Sequence, residues 1–384
     1  MSVPDWSAGG PGGARVWIVA EAGVNHDGSL AAALELVDAA AEAGADAVKF
    51  QAFRAEEVVT RAAPKAAYQR RATGEGGQLE LIRALELPAE AFRELQERCR
   101  LRGVAFLATP FDLPSLRLLV EDLAVEALKL PSGELDNLQL VLEAARSGLP
   151  VLLSTGMASL GEVERALGAL AHGYAEAAGE EVALPSLAAF RAAWEDRERR
   201  ARALARVCLL HCTSQYPAPP EAVNLRAMGT LARAFGARVG LSDHTRGLSV
   251  PLAAVALGAA VLEKHFTLDR RRRGPDHAAS LEPRELAELV RGVREVEAAL
   301  GDGIKACAPE EADTRRVARR SVVAARPIAA GEPFSPENLA VRRPAGGCPP
   351  WLYWDLLGRP APRAYAAEEP LEAPLGEPPF GGPA

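Results

Sequence analysis

The sequence predicts a (β/α)8 TIM barrel followed by a small β-rich domain, and two observations carry the prediction. As far as Leu300, short aliphatic and β-branched runs alternate with longer stretches of helical periodicity. That is the pattern of a parallel sheet joined by crossover helices. From Gly301 onward the alternation stops, and short strand and turn signals follow without a long helix.

Eight runs read as strands: Val16–Val24, Ala47–Phe53, Ala105–Phe111, Val125–Leu130, Val151–Thr155, Val207–Thr213, Val239–Asp243 and Val261–Thr267. The helical segments between them carry start and stop residues. Ser29 can cap SLAAALELVDAAAEAGA and Gly44 end it, while Pro88 and Gly103 frame PAEAFRELQERCRLRG. Eight strand–helix units favour a closed barrel over an open doubly wound sheet. No GxGxxG follows the first strand, which removes the dinucleotide-binding version of the open sheet. The connection between strands five and six is too long for one crossover. It holds an insertion at about 175–206, helical over Pro185–Arg206, whose run RERRARALAR reads as a solvated helix face. The expected domain limits are a disordered start at 1–14, the barrel at 15–300, an aperiodic linker at 301–316, the β-rich domain at 317–371 and a disordered tail at 372–384.

Composition narrows the function classes. The 384 residues are 48% hydrophobic and 25% charged with a formal net charge of −7, ordinary for a globular enzyme and unsuited to nucleic acid. No apolar run approaches the roughly 18 residues of a membrane span, and the first residues lack the apolar core of a signal peptide. Five cysteines without a CxxC pair argue against a disulfide framework and predict a reducing, cytoplasmic compartment.

A barrel of this kind places its chemistry at the C-terminal ends of the strands. Those ends carry, in order, Glu21; Lys49 and Gln51; Thr109; Lys129, Ser132 and Glu134; Ser154; Thr213, Ser214 and Tyr216; Ser242 and His244; and His265. Single hydroxyls there commonly tie off strand ends. Two lysines, two histidines and two carboxylates together do not, because unpaired buried charge is costly. Lys49 and Lys129 suit a phosphate, with Thr109, Ser132, Ser154 and Ser242 filling its remaining acceptors. His244 and His265 end adjacent strands, where two imidazoles could hold a divalent metal and leave positions open for substrate. His26 reads as a loop-packing or supporting residue, and Cys208 and Cys212 as inert barrel thiols.

The stretches IVAEAGVNHDGS, GADAVKFQAF, ATPFD, LKLPSGELDNL, LSTGMASL, LLHCTSQYP, VGLSDHT, LEKHFTLD, GPDHAASLEP and NLAVRRPAGG, in this order, resemble the sialic acid synthase family. AVRRPAGG resembles the antifreeze-like domain that follows the barrel in that family. The resemblance implies condensation of phosphoenolpyruvate with an N-acetylated amino sugar, releasing phosphate. It assigns Lys49, Thr109, Lys129, Ser132, Ser154 and Ser242 to phosphoenolpyruvate, with Ser214 standing where some members carry an asparagine. Gln51, Glu134, Tyr216 and Asp276 fall around the sugar and Glu21 near the reacting atoms, with Glu21 or Glu134 moving protons. His244 and His265 match ligands of a divalent metal, with Mn²⁺ expected and Mg²⁺ or Co²⁺ as alternatives. Arg343 matches an arginine that reaches the partner's barrel, so the resemblance also implies a homodimer with exchanged C-terminal domains. The insertion and the PPWLYWDLLGR ending look like legionaminate synthases, which points to a diacetamido-trideoxyhexose rather than N-acetylmannosamine. Two other readings compete: a 3-deoxy-aldulosonate synthase using a phosphorylated aldose, for which Arg270–Arg273 is the one candidate second phosphate site, and a catalytically silent sugar sensor.

Overall fold

The computed structural model describes residues 15–373, so the terminal segments expected to be disordered lie outside the described residues but for Glu372 and Ala373. The chain divides into two compact units at Asp302/Gly303.

In the first unit eight parallel strands form the barrel: β1 (Trp17–Gly23), β2 (Ala47–Ala52), β3 (Ala105–Pro110), β4 (Leu128–Leu130), β5 (Val151–Ser154), β6 (Val207–Cys212), β7 (Arg238–Asp243) and β8 (Val261–His265). Hydrogen bonds run in the order β3-β2-β1-β8-β7-β6-β5-β4, and β3 packs beside β4 to complete the ring. All eight expected strands are present, and the fourth is shorter than expected. Before it Ala124 takes a left-handed φ of 46° and Val125 N–H caps Leu119 carbonyl, so the chain is still leaving a helix there.

The helices obey their caps. Ser29 Oγ accepts from Ala32 N–H at the start of Leu30–Glu42, and Gly103 ends Ala89–Arg102 in the left-handed region. In the insertion, two helices replace the continuous segment expected, Leu187–Glu195 and Arg197–Leu204. Asp196 divides them, its carboxylate accepting from Glu198 and Arg199 N–H at 2.9 and 3.0 Å. Arg199 and Arg202 of the charged run pair with Glu180 on the surface. No helix among the described residues is long and apolar enough to cross a membrane.

Alternation along the strands sorts the barrel interior into layers. The lower layers are apolar: Trp17 and Val19 from β1, Ala47, Ala105 and Leu107, Leu152, Cys208 and Leu210, and Val261, all buried together. Gly240 is required in this layer, because a Cβ there would meet Val261 carbonyl oxygen at 2.4 Å and Leu210 Cδ2 at 2.7 Å. One step further along each strand the inward residues become Glu21, Lys49, Thr109, Lys129, Ser154, Cys212, Ser242 and Glu263. The floor is hydrocarbon and the layer above it is ionic.

The second unit has an antiparallel pair, β9 (Ser321–Ala324) and β10 (Leu339–Arg342), around a core that includes Val322, Ile328, Phe334, Leu356 and Tyr365. The segment read as an aperiodic linker is partly helical, over Pro309–Glu311 and Ala312–Ala318. Its charges are placed for a short helix: Glu311 accepts from Ala308 N–H, Asp313 lies in the first turn, and Arg315 and Arg316 lie in the last.

Candidate active site

A cavity of about 550 Å³ opens above the ionic layer. It gathers Glu21, Lys49, Gln51, Thr109, Lys129, Ser132, Glu134, Ser154, Ser214, Tyr216, Ser242, His244, His265 and Asp276 into one lining. Of the residues matched to the substrates or the metal, Arg343 alone belongs to the second unit, after β10.

Register explains the convergence. Glu21 is level with Lys49 on one side and with His265 on the other, while Ser242 is level with Cys212 and Glu263. Lys49 Nζ lies 2.7 Å from Glu21, donates to Thr109 Oγ1 at 3.0 Å and stands 3.8 Å from Glu263. Lys129 Nζ is 3.6 Å from Glu263, which accepts from Ser242 at 2.7 Å. Each lysine thus has a carboxylate neighbour, but Lys129 is held loosely and Ser154 Oγ is buried without a hydrogen-bond partner. Burial lowers the Lys49 pKa, yet Glu21 and Glu263 outweigh it and hold the ammonium charged. Lys129 is lowered, mainly by burial. Burial also raises Glu21, whereas on Glu263 the two lysines overcome burial and keep it ionised.

Glu263 was missed because only the last residues of each strand were read. The signal was present: it lies two before His265, so alternation turns both inward. Cys212, expected to be inert, lines the cavity with Sγ 3.0 Å from Ser132 Oγ. Cys208 does match that expectation, buried in the floor with its thiol pushed up to about 12. Gly156 keeps the space beside these groups open, since a Cβ would meet Ser214 Oγ at 2.5 Å, Cys212 Sγ at 2.7 Å and Ser132 Oγ at 2.8 Å.

Across the mouth the His244 and His265 rings stand 5.2 Å apart, with Tyr216 4.2 Å from His244. His244 Nδ1 lies 2.6 Å from Thr213 carbonyl oxygen; a carbonyl can only accept, so Nε2 carries the lone pair. His265 Nδ1 is buried without a hydrogen bond, 3.9 Å from Asp276. Burial lowers both imidazoles, His265 well below its usual value, so both are neutral and able to ligate. Among the described residues no group of three or more His, Cys, Asp or Glu is arranged around a metal ion. An ion held by these two imidazoles alone would have to draw its other ligands from substrate and water. Asp276 is raised to about 7 by burial and by the Glu21 charge, and Glu134 is raised by burial while accepting from Asn137 at 2.7 Å.

The model of the NeuB family matches residues 36–305. The chain belongs to the NeuB family. The SAF domain model matches residues 319–374 of the same chain. An N,N'-diacetyllegionaminic acid synthase of Campylobacter jejuni is 44% identical over 92% of this chain and 98% of its own length. A protein of the same name from Legionella pneumophila is 41% identical over 89% of each. Among solved structures, an N-acetylneuraminic acid synthetase from Leptospira borgpetersenii, in complex with citrate, is 35% identical with a TM-score of 0.63, covering 78% of this chain and 90% of that one.

Proposed function

We propose that the chain is a synthase that condenses phosphoenolpyruvate with an N-acetylated amino sugar and water, releasing phosphate by C–O cleavage. One observation carries the reading: two buried lysines and a set of hydroxyls lie at the base of the same cavity whose mouth holds two buried histidines with rings 5.2 Å apart. Lys49 and Lys129, with Thr109, Ser132, Ser154, Ser214 and Ser242, bind phosphoenolpyruvate. Gln51, Glu134, Tyr216 and Asp276 orient the sugar above it. His244 and His265 would hold a divalent ion, Mn²⁺ in preference to Mg²⁺ or Co²⁺, which when bound supplies Lewis acidity at the sugar aldehyde. The methylene carbon of phosphoenolpyruvate bonds to the aldehyde carbon, and water adds at the adjoining carbon that bears the phosphate oxygen. The resulting tetrahedral centre expels phosphate by breaking its C–O bond, leaving a ketone. Glu134, raised by burial, is suited to give a proton to the aldehyde oxygen, and Glu21 beside Lys49 to take one from the water.

A phosphorylated aldose would need a second phosphate site. Two arginines of the only candidate run are committed elsewhere, Arg270 to Glu285 and Arg271 to Asp269. The free thiols suit a reducing cytoplasm. The similarity of AVRRPAGG to its counterpart in the family supports a homodimer in which Arg343 completes the partner's sugar site. Co-refolding Lys49→Ala with Arg343→Ala tests this: mixed dimers should regain activity, and inactive mixed dimers would refute the exchange. The main test is phosphate release from phosphoenolpyruvate with a panel of acetamido sugars and Mn²⁺. Turnover should vanish with chelator and return with Mn²⁺ or Co²⁺. Full activity of His244→Ala after exhaustive chelation would remove the metal from the reading.

A further inference from the structure

The hydroxyls that line the cavity are not equally committed. Thr109 Oγ1 accepts from Lys49 at 3.0 Å. An ammonium can only donate, so the Thr109 proton is left for another acceptor. Ser154 Oγ is buried without a hydrogen-bond partner, and nothing directs its proton. Ser132 has two neighbours. It opens a short helical turn, Ser132–Glu134, after β4, and its Oγ accepts from Gly156 N–H at 2.9 Å. Cys212 Sγ, at the end of β6, lies 3.0 Å from the same oxygen. This cysteine is buried and lines the cavity beside Ser132. The Gly156 backbone packs against both side chains, since a Cβ there would strike each of them.

We propose that Cys212 is a positioning residue for the anion site: its thiol donates to Ser132 and thereby commits the Ser132 hydroxyl to donate to a bound anion. A serine oxygen has one proton and two lone pairs. Gly156 N–H takes one lone pair, which leaves two arrangements of the contact with Cys212. If Ser132 gave its proton to sulfur, only a lone pair would remain for the cavity, and it would repel an anionic oxygen. If Cys212 gives its proton to Ser132, both lone pairs are filled and the serine proton is the one group left to offer. Two donors on the oxygen also polarise that O–H and strengthen the bond it makes. Cys212 thus does for Ser132 what Lys49 does for Thr109, with a thiol in place of an ammonium. The inference rests on the synthase reading, in which the anion is phosphoenolpyruvate, and gives Cys212 no contact of its own with it.

Calorimetric titration with phosphoenolpyruvate alone reads the effect without turnover. Cys212→Ala should raise Kd by about three- to tenfold, the size of one neutral hydrogen bond. Ser132→Ala should weaken binding at least as much. In the Ser132→Ala background, Cys212→Ala should change Kd by less than about twofold, because the thiol has nothing left to act through. Cys212→Ser restores a donor and should bind within about twofold of the unmodified protein. A side chain that merely packs would show neither the coupling nor the rescue. Raman difference spectra of the unmodified protein against Cys212→Ser isolate one S–H stretch among five cysteines. With phosphoenolpyruvate bound, that band should lie at the low frequency of a donating thiol. A band at the free-thiol frequency overturns the proposal, and it decides the matter even if the alanine variant does not fold. Additive effects of the two alanine substitutions, or an unchanged Kd in Cys212→Ala, overturn it too. Failure of phosphoenolpyruvate to bind the unmodified protein overturns the synthase reading instead. Inorganic phosphate then becomes the probe, and the same coupling to Ser132 decides the role of Cys212.

Discussion

Two buried clusters of charge lie on opposite faces of the barrel wall, and they are finished differently. Outside the barrel, Lys264 donates to Asp243 Oδ2 at 2.6 Å and to Thr245 carbonyl oxygen. Asp243 in turn accepts from Thr245 N–H at 2.9 Å and Thr245 Oγ1 at 3.1 Å. Inside, Lys49 is bonded to Glu21 at 2.7 Å and to Thr109, but Lys129 comes no nearer than 3.6 Å to Glu263, and Ser154 Oγ has no hydrogen-bond partner. The outer pair is satisfied by the protein. The inner cluster leaves hydrogen-bonding capacity over at Lys129, Glu263 Oε2 and Ser154, next to a cavity large enough for a small substrate. Full satisfaction marks a structural pair, and capacity left over marks a receptor.

The sharpest way to break this comparison is to remove one lysine from each cluster. Lys129→Met should lower kcat/KM for phosphoenolpyruvate by about a hundred- to a thousandfold, while costing under about 1 kcal/mol of stability because Ser242 and Lys49 remain beside Glu263. Lys264→Met should do the reverse on stability, costing about 3–5 kcal/mol by leaving Asp243 buried and unpaired. Denaturant unfolding beside steady-state kinetics separates the two. Similar profiles for both variants would erase the distinction.

A third buried group sharpens it by being neutral. His26 is fully buried, its Nδ1 accepts from Gly28 N–H, and burial lowers its pKa to about 4. The unfolded chain protonates this imidazole near its ordinary value, whereas the folded chain resists until about pH 4. The contribution to stability is therefore complete above the ordinary value, falls away as pH drops towards 4, and is level below. Over that window His26→Gln should remove up to about 3 kcal/mol of the pH dependence, read as the difference between two denaturation series. The smallest effect belongs to the surface. With Arg270 and Arg271 paired, neutralising exposed Arg272 and Arg273 should lower kcat/KM by less than about threefold at low salt and converge with the parent at high salt.

The barrel was legible because its strands are short, aliphatic and regularly spaced, and because their polar residues cluster at one end. Lys49, Lys129, His244 and His265 could be found by that rule alone. Glu263 could not, since a carboxylate one step below the strand end becomes visible only when alternation is carried inward from His265. Asp243 and Lys264 escaped for the opposite reason: on the outward face the rule expects hydrocarbon against the helices, and a closed ion pair there depends on a register no single strand reveals. The helix Ala312–Ala318 rests on local charge placement rather than an apolar stripe, so periodicity was silent about it.

The packed floor around Gly240 has a consequence for traffic. With hydrocarbon sealing one end of the barrel, a ligand reaches the ionic layer from the strand-end side, and what enters first travels deepest. On the proposed assignment phosphoenolpyruvate goes to the lysines at the base, and the larger sugar then stands between it and solvent. Loading is therefore compulsory in sequence, anion before sugar, and a sugar that arrives early acts as a stopper. Departure runs the other way, with phosphate formed at the dead end waiting behind the nine-carbon product.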